Sequence, residues 1–144
     1  MPRRRAALQV VLPYTVERAN QALPLIRRIV ADLVRDYASW QAAVSRFEYA
    51  AVRSSADAPD PEADMAQRDV QRLAAEIDSY LRELDALGVE CRAYDTGLID
   101  FPGELENRPV YLCWMLGETA VEHWHDADAA FAGRQSLPSE LLAR

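Results

Sequence analysis

LPLIRRIVADLVRDYASWQAAVSRFEYAA, residues 23–51, carries apolar or small side chains at Leu23, Ile26, Val30, Leu33, Tyr37, Trp40, Val44, Phe47 and Ala51. The intervals alternate three and four without a break, the pattern of a helix that offers one seam to a partner. A second series, Ala66, Val70, Leu73, Ile77, Tyr80, Leu84 and Leu87, repeats the rhythm. Between them SSADAPDP, residues 54–61, is rich in Pro, Ser and Asp, which do not continue a helix. Short connections make helices antiparallel neighbours, so the seams predict a long, coiled-coil-like hairpin over residues 15–88.

Thr15 and Glu17 fit the start of a short first helix over residues 16–22, with Pro24 then at a kink or in the first turn of the long helix. Pro61, Glu62 and Asp64 open the second arm, and Gly88 stops it. Arms of about 27–30 residues are roughly 40–45 Å long and outreach a small sheet. Ile29, Val34, Ala38 and Ala43 add apolar surface beside the seam, which a second copy of the chain would cover, so the expectation is a homodimer.

After Gly88 the period changes to two. Strands are expected over residues 89–94, 98–101, 110–116 and 121–125, with turns at Asp95-Thr96-Gly97 and Gly117-Glu118. Pro102-Gly103 ends the second strand in this reading, and residues 104–108 form a loop. The third strand is apolar on both faces and therefore central. The predicted fold is α+β: the hairpin packed on a small antiparallel meander of three to four strands. One domain spans residues 1–144, with the sheet block at 89–137 and a tail at 138–144.

Half of the residues are apolar, enough for a real core in a chain of one-domain length. A formal charge of −7 argues against nucleic acid, whose phosphates require a surplus of Lys and Arg on one face. Arg3, Arg4 and Arg5 followed by AALQVVLPY imitate the start of a signal peptide. Pro13 interrupts that stretch, and TVER follows where a small-residue cleavage site belongs. No apolar run approaches the roughly 18 residues of a membrane span. Cys91 and Cys113 stand alone, without a CxxC pair, and read as reduced thiols of a cytoplasmic protein.

Residues 97–137 concentrate rings, glycines and ionisable groups beyond what a plain core needs. Period-two geometry puts His123 and His125 on one face of the last strand and Trp124 on the other. Such a pair offers two imidazoles to one divalent metal, with Asp126 or Asp128 as an oxygen ligand, so His123, His125 and Asp128 form a candidate mononuclear site. HWHDAD resembles the metallohydrolase pattern HxHxDH but departs from it. Ala127 stands where the aspartate belongs, and Asp128 where the last histidine belongs.

A metal-free reading makes His125 an acid–base group oriented by Asp128 three residues on. Arg134, after Gly133, supplies a planar fork for a carboxylate or phosphate. Asp100, just before Pro102, joins the same cleft. The candidate catalytic set is therefore His125, Asp128 and Arg134, and the candidate ligand contacts are Asp100, Arg134 and Trp124. In a purely structural alternative, His125 and Asp128 cap the last strand while Arg134 pairs with Asp126 or Asp128 and pins the tail. Cys113, mid-strand among large apolar neighbours, reads as an inert thiol. P-loop, GxGxxG and GxSxG motifs are all lacking, and no reaction is legible.

The segments TVERANxxLPLIRRIV (residues 15–30), GLIDFP (97–102), VYLCW (110–114) and WHDADAAFAGRQ (124–135), in this order and spacing, resemble a bacterial family catalogued as domain of unknown function 2203. The resemblance implies a small soluble protein with a helical N-terminal region and this terminal block, and it implies no activity. His125, Asp128 and Arg134 occupy polar positions of the pattern. His123 is a local feature, which weighs against the two-histidine metal set. The functional expectation is a small-molecule-binding protein or a small enzyme, with a His/Asp/Arg site at the C-terminal edge of the sheet that suits an anionic group. The alternative from another class is an interaction module that uses the helical hairpin, with the sheet block as scaffold.

Overall fold

The computed structural model describes residues 13–129 and 133–142. The Arg3–Arg5 run with its apolar continuation up to residue 12, and Phe131, lie outside the described residues. Helices α1 (Val16–Arg53) and α2 (Pro61–Ala86) lead into strands β1 (Glu90–Ala93), β2 (Leu98–Leu105), β3 (Arg108–Met115), β4 (His123–Asp126) and β5 (Gln135–Ser136), and the chain closes on one helical turn, α3 (Ser139–Leu142). The expected tail thus contains α3, whose Leu141 packs against the core.

Thr15 caps α1, its hydroxyl accepting from the Arg18 N–H at 3.0 Å. The separate short helix expected over residues 16–22 does not form: α1 is one helix with Pro24 inside it. Leu23 and Ile26 flank the proline and are buried at 3% and 0% exposure. Their packing carries the helix through a residue that removes one donor and faces solvent. Asp60 caps α2 by accepting from Glu62 N–H at 3.0 Å, with Pro61 in the first turn.

The seam of α2 is as expected, with Ala66, Leu73, Ile77 and Leu84 buried. That of α1 drifts by one position. Its buried residues beyond Leu33 are Asp36, Ala43 and Ala50 instead of Tyr37, Val44 and Ala51. Drift of this kind follows from 3.6 residues per turn against a strict heptad. The small side chains of Ala43, Ala50, Ala63 and Ala66 let the two backbones approach. Asp36 enters the seam because Tyr80 of α2 donates to it at 2.9 Å and Arg35 at 3.1 Å. Of the residues expected to face a second copy, Ile29 and Ala43 are buried within the chain, Val34 is half-buried and Ala38 exposed.

The sheet has five antiparallel strands in the order β1-β2-β3-β4-β5, where three to four were expected. Strand β2 runs through Pro102 to Leu105 and pairs with β3 over its whole length. The expected loop at 104–108 is instead a two-residue turn, Glu106-Asn107, with φ of 53° and 62°, the mirror-image geometry that suits a twisted hairpin. Pro102 is tolerated because it lies beyond the end of β1, where the outer edge of β2 meets only an isolated bridge between Tyr14 and Gly103. The last long-range strand is shifted to residues 123–126, and β5 adds two residues beside it.

Ile99, Phe101, Val110, Leu112 and Trp114 face the helices and join Leu23, Ile26, Val30 and Leu33 in one core. That core takes α1 up to Trp40 and α2 from Ile77 onward, so the distal half of the hairpin projects past the sheet. No helix among the described residues is long and apolar enough to cross a membrane.

Candidate functional site

Antiparallel register assigns every strand residue a face. Asp100 pairs with Cys113 and Cys113 with His123, while His125 pairs with Tyr111. These side chains share the face turned away from the helices. The polar floor of the site is therefore set by pleating alone: residues 99, 101, 112 and 114 go to the core, and their neighbours 100, 111 and 113 go to the other side.

On that outer face Asp100 is 2% exposed and His125 3%. Nε2 of His125 lies 3.0 Å from Oδ1 of Asp100, and Nδ1 lies 2.9 Å from the Asp126 carbonyl oxygen. The other carboxylate oxygen of Asp100 accepts from Arg92 Nε at 2.9 Å. Arg92 also pairs with Glu90 at 3.0 Å and lies over the Tyr111 ring at 5.0 Å. Burial works against the charge on Arg92, but the hydrogen bond to Asp100 and the charge of Glu90 outweigh it and hold the guanidinium pKa above its ordinary value. Arg92, Leu98, Asp100, His125, Ala127, Asp128 and Ala129 line a cavity of about 360 Å³ above this network.

The structure brings His125 and Asp100 together, and Asp128 to the same cleft as an exposed rim residue. The expected His125–Asp128 pair is not formed: both ring nitrogens of His125 are engaged elsewhere. Arg134 does not reach this cleft either. Its guanidinium grips Glu118 at 2.6 and 3.0 Å and reaches the Cys113 carbonyl at 3.4 Å. The hydrogen bonds between Arg134 and Glu118 lower the Glu118 pKa and raise that of Arg134. Asp126 is taken by Arg108, so Arg134 pins the tail through Glu118 and not through Asp126 or Asp128. Trp124 points to the opposite face, under Arg108, in a separate hollow of about 640 Å³ that it shares with Thr15, Leu105 and Pro138. That hollow is larger, but it has no buried ionisable group in its lining.

His123 shares the outer face with His125 but does not join it as a ligand pair. Its Nδ1 is buried without a hydrogen-bond partner among the described residues. The cluster with metal-ligating geometry among the described residues is Asp100, Cys113 and His125, whose donor atoms lie within 4.8 Å of one another. Cys113 is fully buried, and that burial pushes its thiol up to about 11, as burial does for Cys91.

Residues 13–137 match the family model described as an uncharacterized conserved protein (DUF2203). The chain belongs to this family. No curated protein and no solved structure matches it. The matched span of this DUF2203 member includes every residue of the cleft and of the buried cluster.

Arg92 and Glu118 escaped the sequence reading. Arg92 sits in a short strand, ECRA, whose pairing shifts register between Cys91 and Ala93, so alternation does not reveal its side. Glu118 sits in a turn, where an acid reads as solvated. The signal that was present is the two acceptors Asp100 and Asp126 on strands either side of the apolar run at residues 109–115 of β3.

Proposed function

We propose that this DUF2203 chain is a cytoplasmic small-molecule-binding protein whose ligand enters the cleft over the outer face of the sheet. The observation that carries the reading is the pairing of two almost fully buried ionisable groups, Asp100 and His125, at the floor of a cavity of about 360 Å³. Buried charge is costly, and sequences that keep it beneath an opening concentrate at binding and catalytic sites. The cation for an acidic ligand group is Arg92 in place of Arg134, and Leu98, Ala127 and Ala129 offer apolar contact. Neither ring nitrogen of His125 is turned to a substrate, so its role is to build the floor rather than to shuttle protons directly. Two free thiols are in keeping with a reducing compartment.

The test is a two-dimensional amide and arginine-side-chain NMR titration of the full chain with acetate and inorganic phosphate as acidic probes. Perturbations gathered at Arg92, Leu98, Asp100 and residues 127–129 support the reading. Perturbations gathered in the hollow at Trp124, or none at all, refute it.

A second reading rests on the projecting arm. Tyr49, Val52 and Met65, near its tip, are 69%, 86% and 64% exposed, an unusual display of large apolar side chains on one small region. In that reading the tip joins a second copy into a homodimer. Sedimentation equilibrium of the wild type against Val52→Asp separates the two: a dimer that dissociates in the variant favours it, and a monomer throughout removes it.

A further inference from the structure

We propose that Asp100, Cys113 and His125 together hold one zinc-class divalent ion at the floor of the cleft. The three donors come from adjacent strands β2, β3 and β4, and their side chains are 2%, 0% and 3% exposed. Their donor atoms lie within 4.8 Å of one another. In a tetrahedral sphere with ordinary zinc bond lengths the donor–donor edges are about 3.3–3.8 Å. Side-chain adjustments of about 1 Å close that gap, without moving the strands.

Hydrogen-bond bookkeeping points the same way. The Asp126 carbonyl only accepts, so Nδ1 of His125 carries a proton and donates to it. In a neutral ring that leaves a lone pair on Nε2, aimed at a carboxylate oxygen 3.0 Å away. Two lone pairs at that distance require a positive centre between them. A proton would satisfy His125 and Asp100 alone, whereas a metal ion also takes the Cys113 sulfur, which otherwise meets Arg134.

The surroundings have the form of support for a metal. Imidazole ligands commonly donate their second N–H to a backbone carbonyl, and ligating carboxylates are themselves hydrogen-bonded. His125 does the first with Asp126, and Asp100 does the second with Arg92. One sulfur, one nitrogen and one oxygen donor select a borderline-soft ion over magnesium or calcium. Asp100 and the Cys113 thiolate supply two anionic ligands for a divalent charge, beside the guanidinium groups of Arg92 and Arg134. Three protein ligands leave a coordination position for the cleft, which Asp100 and His125 also line.

This ion binds without any further molecule in the cleft, so its test is separate from that of the acidic probes. Chelator-treated full-length protein is titrated with Co²⁺ and followed by absorption. One equivalent should give the visible bands of a four-coordinate ion and a near-ultraviolet thiolate-to-cobalt band. Cys113→Ser should abolish the thiolate band, with Cys113→Ala as a second variant should the serine destabilise the fold. Asp100→Asn and His125→Gln should weaken Co²⁺ at least as much as loss of a supporting hydrogen bond, about 10–100-fold. His123→Ala should leave the titration unchanged. Circular dichroism of each metal-free variant confirms that it is folded. Absence of the thiolate band in the wild type overturns the proposal. So does Co²⁺ binding that survives Cys113→Ser with an unchanged spectrum, or that is lost in a folded His123→Ala variant.

Discussion

Oδ1 of Asp100 and Nε2 of His125, 25 residues apart in the chain, meet at 3.0 Å with both side chains almost wholly buried. A buried pair of this kind contributes little net stability, but breaking it strands the surviving partner in low dielectric. Asp100→Ala is therefore expected to lower the unfolding free energy of chelator-treated protein by about 1–3 kcal/mol, the cost of a buried polar group left without its partner, read from urea denaturation. Asp100→Asn keeps the shape and an acceptor for Arg92, and is expected to cost less.

Arg134 and Arg92 divide the roles that one arginine was expected to fill. Arg134→Ala leaves Glu118 half-buried without its bidentate partner, a loss of about 1.5–3 kcal/mol for hydrogen bonds to a charged group. The melting temperature should fall while acetate and phosphate bind as before. Arg92→Ala should weaken those probes by about tenfold, equivalent to about 1.4 kcal/mol. Isothermal titration of the two variants checks both halves.

The Tyr80–Asp36 contact ties the hairpin arms together and sets an alkaline limit. Its hydrogen bond to Asp36 is the main cause that pushes the Tyr80 phenol up to about 12 from an unfolded value of 10.0. A group whose folded pKa is raised adds stability that is complete below the unfolded value and disappears as pH climbs through the folded one. Stability should thus decline between pH 10 and about 12 more steeply in the wild type than in Tyr80→Phe. Denaturation midpoints of the two proteins across that range provide the comparison.

Gly97 and Gly117 both have positive φ, at 76° and 107°, but differ in their surroundings. A Cβ on Gly97 would lie 2.7 Å from Val30 Cγ1 and 2.9 Å from Leu116 Cβ. Nothing lies within 4 Å of the corresponding position at Gly117. Gly117→Ala is expected to cost only backbone strain, about 1–2 kcal/mol. Gly97→Ala adds overpacking between α1 and the sheet, for about 2–5 kcal/mol in total. Thermal melts of the pair test whether the hairpin packs on β2 and β3 as described.

The elements that rest on long apolar periodicity were legible. The α2 seam and the central β3 are read directly from Leu73, Ile77, Leu84 and from VYLCW. Features decided by packing were not. Pro24 looks like a helix start until Leu23 and Ile26 are seen holding both sides of it, and Pro102 looks like a strand end until the missing neighbour at that edge is known. Strand β5 has two residues, too few to carry a pattern. In the site, alternation was enough to place His123 and His125 on one side and Trp124 on the other. It did not tell which cation meets which acid, because Arg92, Arg108 and Arg134 are all within reach of several carboxylates in sequence terms. Cys113 was read as inert for its burial, and it is fully buried. What the sequence hid was that Asp100 and His125 are buried beside it.

Anomalous scattering at the cobalt edge, from crystals of stripped and Co²⁺-loaded protein, addresses the buried cluster most directly. One peak is expected within bonding distance of Asp100, Cys113 Sγ and His125 Nε2, with the Arg92 and Asp126 contacts retained. A peak at His123, or none in the cluster while Asp100 and His125 still touch each other directly, would contradict it.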